Sequence, residues 1–205
     1  MKIEFTLDIP CVWSYFAFAR LTREAARVRA AGGTVDLVFR PYQLAPEATV
    51  EGEPKTEVLR RAFGADVAPA TARITALAAA EGLEFHHDGA VFSHTFEAHR
   101  LIAVAAAQGR AEAAVERLFR AHHTDGLNIA DPAVLRRLAA DAGVTWSDEG
   151  ADAVRAALAA VRAEALPGIP HLRFPNGVTF TGNPSRQALA GALAPAAVRQ
   201  GLSSR

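Results

Sequence analysis

Leu7-Asp8-Ile9-Pro10-Cys11-Val12-Trp13-Ser14-Tyr15 joins a strand pattern to a helix pattern, and the only cysteine of the chain stands at the join. Ahead of it, Ile3, Phe5 and Leu7 alternate with polar neighbours, the period of a half-buried strand. Behind it the period changes. From Ser14 to about Ala31, Phe18, Leu21, Ala25 and Val28 share one helical face, Arg20, Arg23, Arg27 and Arg29 take others, and Gly32-Gly33 stops the helix. Val35 to Phe39 then reads as a second strand. Strand, helix and strand with a short return make a βαβ unit, which predicts a right-handed crossover and parallel strands.

A thiol in the first turn of a helix faces unpaired amide N–H groups and the positive end of the macrodipole, which favour thiolate over thiol. Cys11 is therefore placed to act as a nucleophile. The competing reading is a small buried hydrophobe, because free cysteines are among the most buried residues. With one Cys in 205 residues, no internal dithiol–disulfide cycle can run. Ser14 holds the position where a CxxC motif carries its second thiol; its hydroxyl can hydrogen-bond a thiolate but cannot release a mixed disulfide.

Half of the residues are apolar and 21% are charged, enough to bury a core in one domain with a large insertion or in two small ones. Acidic and basic residues balance and the pI is near 7.1, without the electrostatic footprint of a nucleic-acid binder. The N-terminus enters a strand pattern at once, with no signal-peptide features, and no apolar run reaches the roughly 18 residues of a membrane span. These features, with a single thiol, lead us to expect a cytoplasmic protein with no membrane or nucleic-acid partner. They do not set the oligomeric state.

After Arg40-Pro41-Tyr42-Gln43-Leu44 comes a loop rich in Pro, Glu and Gly to about Pro54, and then an Ala-rich helical pattern. We place a boundary there, giving a helical insertion over 46–149 within a unit made of 1–45 and 150–205. Helices are predicted near 55–63, 67–81, 94–108, 111–123, 131–142 and 148–165. The best marked has Asp131 as N-cap, Pro132 at its first position and Gly143 at its end. Leu172 to Phe174 and Val178 to Phe180 read as short strands around a Pro175-Asn176-Gly177 turn, before a terminal helix over Pro184 to Ala194. From pattern alone the class is α/β with inserted helices.

Cys11-Val12-Trp13-Ser14-Tyr15, Phe39-Arg40-Pro41-Tyr42-Gln43-Leu44, Thr95-Phe96-Glu97-Ala98-His99-Arg100-Leu101 and Gly168-Ile169-Pro170, in that order, together resemble the DsbA-like superfamily. The FrnE-like branch is the most similar, a neighbour of 2-hydroxychromene-2-carboxylate isomerases and kappa-class glutathione transferases. The resemblance spans almost the whole chain. It implies a thioredoxin fold with a large all-helical insertion, Cys11 as the active residue, Ser14 at the second motif position, and Pro170 as a cis-proline facing them, with Ile169 beside it in the substrate cleft. Where redox relatives resemble C-P-x-C, this chain has Val12 and Ser14, which removes two-thiol chemistry. Glutathione-binding relatives carry an acid after a late glycine, and Gly182-Asn183-Pro184-Ser185-Arg186 lacks it. No cofactor is therefore expected, and glutathione or another small thiol is the candidate that this departure counts against.

Other residues are read with two roles each. His171, directly after Pro170, is either a stabiliser of the thiolate and proton shuttle or a partly exposed strand residue. His99 either points into the cleft or is a structural, hydrogen-bonded histidine. Trp13, Tyr15 and Tyr42, with Phe16 and Phe92, either line an apolar substrate pocket or pack the core, with Trp13 the foremost candidate for substrate contact. His86-His87, His94 and His122-His123 lack metal-site spacing, so no metal is expected; His122-His123 close a helix, where cations suit the dipole.

Three functions fit. In the first, Cys11 adds reversibly to a conjugated enoyl substrate, free or on a carrier protein and of polyketide type, and isomerises its double bond without a cofactor. In the second, Cys11 does monothiol redox work, as an oxidoreductase or disulfide isomerase resolved by an external thiol. The third is a non-catalytic binding domain.

Overall fold

The protein is seen in a computed structural model that describes residues 1–197. In chain order its elements are β1 (Lys2–Leu7), α1 (Val12–Ala30), β2 (Asp36–Pro41), β3 (Glu53–Pro54), α2 (Lys55–Phe63), α3 (Ala68–Ala80) and β4 (Val91–Phe92), then α4 (Phe96–Ala107), α5 (Ala111–His123), α6 (Pro132–Asp141), α7 (Ala151–Ala163), β5 (His171–Arg173), β6 (Thr179–Thr181) and α8 (Arg186–Ala197). The main sheet has the order β2-β1-β5-β6. β1 and β2 run parallel from Lys2 opposite Asp36 to Leu7 opposite Pro41, as the βαβ pattern predicts. β5 is antiparallel to both β1 and β6. The β5–β6 turn closes where the Gly177 amide meets the Phe174 carbonyl at 3.0 Å, with Gly177 at φ +84°, a conformation glycine adopts without strain.

The alternation in β1 sorts its side chains to two faces. Ile3, Phe5 and Leu7 are fully buried with Leu172 of β5, Phe18, Leu21 and Ala25 of α1, and Leu189 and Leu193 of α8. Helices α1 and α8 lie side by side on this face, and Gly33 allows the approach, since a Cβ there would stand 2.6 Å from the Ala196 carbonyl oxygen. On the other face Glu4, Arg40 and Arg173 meet Glu164, just past α7, in an ion-pair network in which Arg40 and Arg173 each donate to Glu164 at 2.9 Å. These two arginines hold the Glu164 carboxyl down at about 2.

Between β2 and α7 the chain is mostly helical. The core continues without a break into α4, α5 and α6 through Val115, Leu118, Phe119, Leu135 and Leu138. Phe119 is the hinge of that continuity: Tyr15 of α1 stacks on it at 4.8 Å, and Phe18 packs against it tilted at 5.6 Å. Burying such a ring contributes about 1.5–3 kcal/mol. Asp131 caps α6 through Ala133 N at 2.7 Å, with Pro132 at the first turn. The two-residue pair β3–β4, antiparallel through Glu53–Phe92 and Pro54–Val91, lies where the sequence reads as loop. Two residues carry no periodicity, so nothing local announces them. The final helix runs on past Ala194 to Ala197, through Pro195. Positions 198–205, assigned above to the sheet-bearing unit, lie outside the described residues. Among the described residues no helix is long and apolar enough to cross a membrane.

Candidate functional site

Cys11 is the N-cap of α1, with extended backbone (φ −75°, ψ 107°). Its carbonyl accepts from Ser14 N at 3.0 Å and Tyr15 N at 3.2 Å, and its own amide donates to the Asp8 carbonyl at 3.2 Å. The turn therefore presents the thiol at the end of the helix axis. The side chain is nevertheless only 8% exposed. The thiol faces the Ile169 carbonyl oxygen at 4.0 Å across the cleft, and the Ile169–Pro170 peptide is cis. Two segments separated by most of the chain thus close around one sulfur.

The electrostatics differ from the expectation of a thiolate. Burial pushes the Cys11 thiol up, and this outweighs the Ser14 hydroxyl and the Ser14 and Trp13 amides, which pull it down; the Asp8 carboxylate adds to the upward push. The helix end favours the thiolate and burial disfavours it, and burial wins. Ser14 is fully buried, and among the described residues its hydroxyl is committed to no group other than the Cys11 sulfur it favours. It is the one hydroxyl favouring a negative sulfur.

Asp8 was not among the residues singled out from the sequence. It is 1% exposed. Its Oδ1 accepts from Ile9 N at 2.9 Å, its Oδ2 from Leu44 N at 2.8 Å, and His99 Nε2 lies 3.1 Å from Oδ1. His99 Nε2 also lies 2.8 Å from the Tyr42 carbonyl oxygen. A carbonyl oxygen only accepts, so the proton of His99 is on Nε2. His99 is the structural, hydrogen-bonded histidine of the two readings: it ties α4 to the turn before Cys11 and to the segment after β2. An acid embedded among Leu7, Ile9 and Pro10 was the available signal.

His171 does not reach the thiol. Its Nδ1 is 2.9 Å from Thr181 Oγ1 across β5–β6, and burial together with Arg173 holds its pKa down. Tyr15 turns away as well, into a stack with Phe119, Phe85 and His123, with its hydroxyl within range of the charges of Glu116, Arg120 and Asp125. Phe16 is buried in the core. Tyr42 contributes its backbone to the Asp8–His99 cluster, while its side chain borders a small cavity with Leu158 and Val161. Trp13 alone among the aromatic candidates stays at the surface, 37% exposed and leaning on Phe16 at 5.7 Å. The structure therefore brings together Cys11, Ser14 and Ile169-Pro170, with Trp13 beside them, while the described contacts of His171, Tyr15 and the Tyr42 ring are with other groups.

His122 and His123 correct the reading of them as helix-end cations. Both end α5, yet both are fully buried and burial holds each well below the ordinary histidine value, so they are neutral. Asn183 and Pro184, just after the late glycine Gly182, are taken up by Arg20, which donates to Asn183 Oδ1 and the Pro184 carbonyl at 3.0 Å.

Comparison with known proteins places the fold. The chain is similar over its whole length to a solved structure described as a probable DsbA oxidoreductase from Streptomyces coelicolor, at 26% identity, 93% coverage of that chain and a TM-score of 0.82. The cytosolic disulfide reductase DsbM from Pseudomonas aeruginosa shares the fold at 23% identity over 94% of this chain and 93% of that one, with a TM-score of 0.63. A 2-hydroxychromene-2-carboxylate isomerase shares it at 16% identity and full coverage of both chains, with a TM-score of 0.67. No curated protein matches. The DSBA-like thioredoxin domain matches residues 2–194, and the chain belongs to that family.

Proposed function

We propose that the protein is a non-redox, thiol-dependent isomerase of conjugated enoyl compounds. The observation that carries this reading is a lone thiol, closed in between the start of α1 and Ile169-Pro170, with a serine hydroxyl in place of a resolving thiol. The resting group is the S–H form. On addition, the sulfur bonds to the carbon β to the substrate carbonyl, the C=C electron pair moves to the carbonyl oxygen, and that oxygen takes the thiol proton. Rotation follows about the former double bond. Reversal re-forms the alkene in the other geometry and returns the proton to Cys11, so no electrons are gained or lost and no cofactor is consumed. The Ser14 hydroxyl supports the sulfur as its proton leaves, and Trp13 offers a surface for the acyl chain. The substrate is an acyl group, free or on a carrier protein and of polyketide type, handled in the cytoplasm.

A second reading is favoured by the likeness to the Streptomyces coelicolor protein. Cys11 then attacks a disulfide and expels one thiolate, and an external thiol releases the mixed disulfide. The test uses protein reduced beforehand and freed of reductant under argon, supplied with a cis-dienoyl thioester of N-acetylcysteamine and followed by chromatography. We expect the trans isomer to accumulate and Cys11→Ala to abolish it. Failure to isomerise, with turnover of glutathione disulfide once an external thiol is added to the same sample to release the mixed disulfide, would replace the first reading by the second.

A further inference from the structure

Beside the mini-sheet, a group of buried polar atoms lacks any partner among the described residues: Lys55 Nζ, both ring nitrogens of His87 and of His122, His123 Nδ1 and, further along the strand pair, Ser93 Oγ. Such atoms are uncommon in native structures, and each is a reason to look for a ligand. Lys55 is one of only two lysines in a chain whose other cations are arginines. Its amide donates to the Ala90 carbonyl at 2.8 Å, and its side chain is only 4% exposed. The charge of Lys55 reaches the rings of His87, His122 and His123. His122 and His123 stand edge to face at 4.8 Å, and Phe92 covers His122.

The proton positions can be partly assigned. His123 Nε2 lies 2.9 Å from the Ile9 carbonyl oxygen and so carries the proton, which leaves Nδ1 as a bare acceptor. The rings of His87 and His122 are uncommitted, and either can turn an N–H inward. Among the described residues no carboxylate is paired with Lys55, and burial lowers it to about 8, so it is still mostly protonated at neutral pH. A buried ammonium with no counter-charge is strongly unfavourable. His87 borders a cleft of about 840 Å³ lined also by Phe85, Asp88, Thr124 and Gly126, while Lys55, His122 and His123 are buried. Among the described residues no group of His, Cys, Asp or Glu is arranged to hold a metal ion, and Lys55 would repel one.

We propose that this cluster is an oxyanion-binding site for a carboxylate or phosphate group entering through the cleft beside His87. Lys55 Nζ and the inward N–H groups of His122 and His87 donate to its oxygens. His123 Nδ1 accepts from the group's hydroxyl where it has one, as a phosphate monoanion does. The assignment does not rest on the chemistry of Cys11, although His123 ties the site to the backbone two residues ahead of that thiol.

The test titrates the full chain with inorganic phosphate and, separately, with acetate, each against chloride at constant ionic strength. The readouts are the imidazole NMR signals of His122 and His123 and the thermal midpoint. The expected result is a saturable shift of both signals and a raised midpoint, absent in Lys55→Met. That variant replaces an unpaired buried charge by an apolar chain of similar length, so it should be at least as stable as the parent in chloride. His87→Leu, which keeps Lys55, should weaken binding about tenfold through loss of one donor to a charged group. Saturation by phosphate at lower concentration than by acetate assigns a phosphate ligand, and the reverse a carboxylate. No saturable change with either anion, or the same change in Lys55→Met, overturns the proposal.

Discussion

Replacing Asp8 by Ala separates two roles that one carboxylate plays. The carboxylate accepts from Ile9 N, Leu44 N and His99 Nε2. In Asp8→Ala, the buried Ile9 amide loses its acceptor outright, at about 1–3 kcal/mol. The Leu44 amide sits in a half-exposed segment that water reaches, so its loss is smaller, about 1 kcal/mol. His99 keeps the Tyr42 carbonyl. The sum is about 2–4 kcal/mol, and at about 2–4 °C per kcal/mol for a domain of this size the midpoint should fall by roughly 5–15 °C. Urea unfolding followed by circular dichroism gives the free energy. The thiol should respond in the opposite sense, because the Asp8 charge disfavours the thiolate. Iodoacetamide alkylation of Cys11 against pH should titrate lower in Asp8→Ala than in the parent. A stability loss under about 1 kcal/mol would show that the hydrogen bonds do little, and an unchanged or higher titration would refute the electrostatic argument.

Two further outcomes follow from the same geometry. In the parent, Cys11 should alkylate with an apparent pKa above that of free cysteine, and Ser14→Ala should raise it further, since the Ser14 hydroxyl pulls it down; a parent profile below the free-cysteine value would contradict the dominance of burial. Glu164→Gln should lose about 1 kcal/mol, the figure kept small because the network is solvent-screened. The folded carboxyl titrates at about 2, below its ordinary value of 4.5. Its contribution is therefore complete above about pH 5 and fades as pH falls towards 2, so stability curves of parent and variant should converge in acid.

The elements that could be read from the sequence were those whose period is long enough to count. β1 alternates, α1 repeats every three to four residues, and α6 announces both ends with Asp131-Pro132 and Gly143, and all three are where the pattern puts them. β3 and β4 are two residues each and exist only because they pair with one another. The site was half legible. Cys11 and Ser14 were legible from residue type and spacing and Pro170 from the family resemblance, and the thiol does lie 4.0 Å from the carbonyl just before Pro170. What a line of residues does not carry is direction and depth. Tyr15 and Trp13 are two positions apart on α1, yet one is locked in a ring stack and the other lies at the surface. His122 and His123 look like surface charges at a helix end until the packing of Phe92 and Tyr15 shows that water is excluded. The sign of the Cys11 shift failed for the same reason: the helix end is written in the sequence, and the burial is not.

The thiol at residue 11 and the carbonyl that covers it at residue 169 are 158 positions apart. A ribosome adding about 5–20 residues per second needs on the order of ten seconds to span that interval. Throughout it the first strand, its helix and its nucleophile are already made, while the strand and loop that will shelter them are not. The nascent protein therefore passes through a period in which Cys11 is open to any electrophile or disulfide nearby. A pulse of membrane-permeant alkylating agent during synthesis should mark incomplete chains far more heavily than finished ones, which makes this cysteine a built-in timer of when the protein closes.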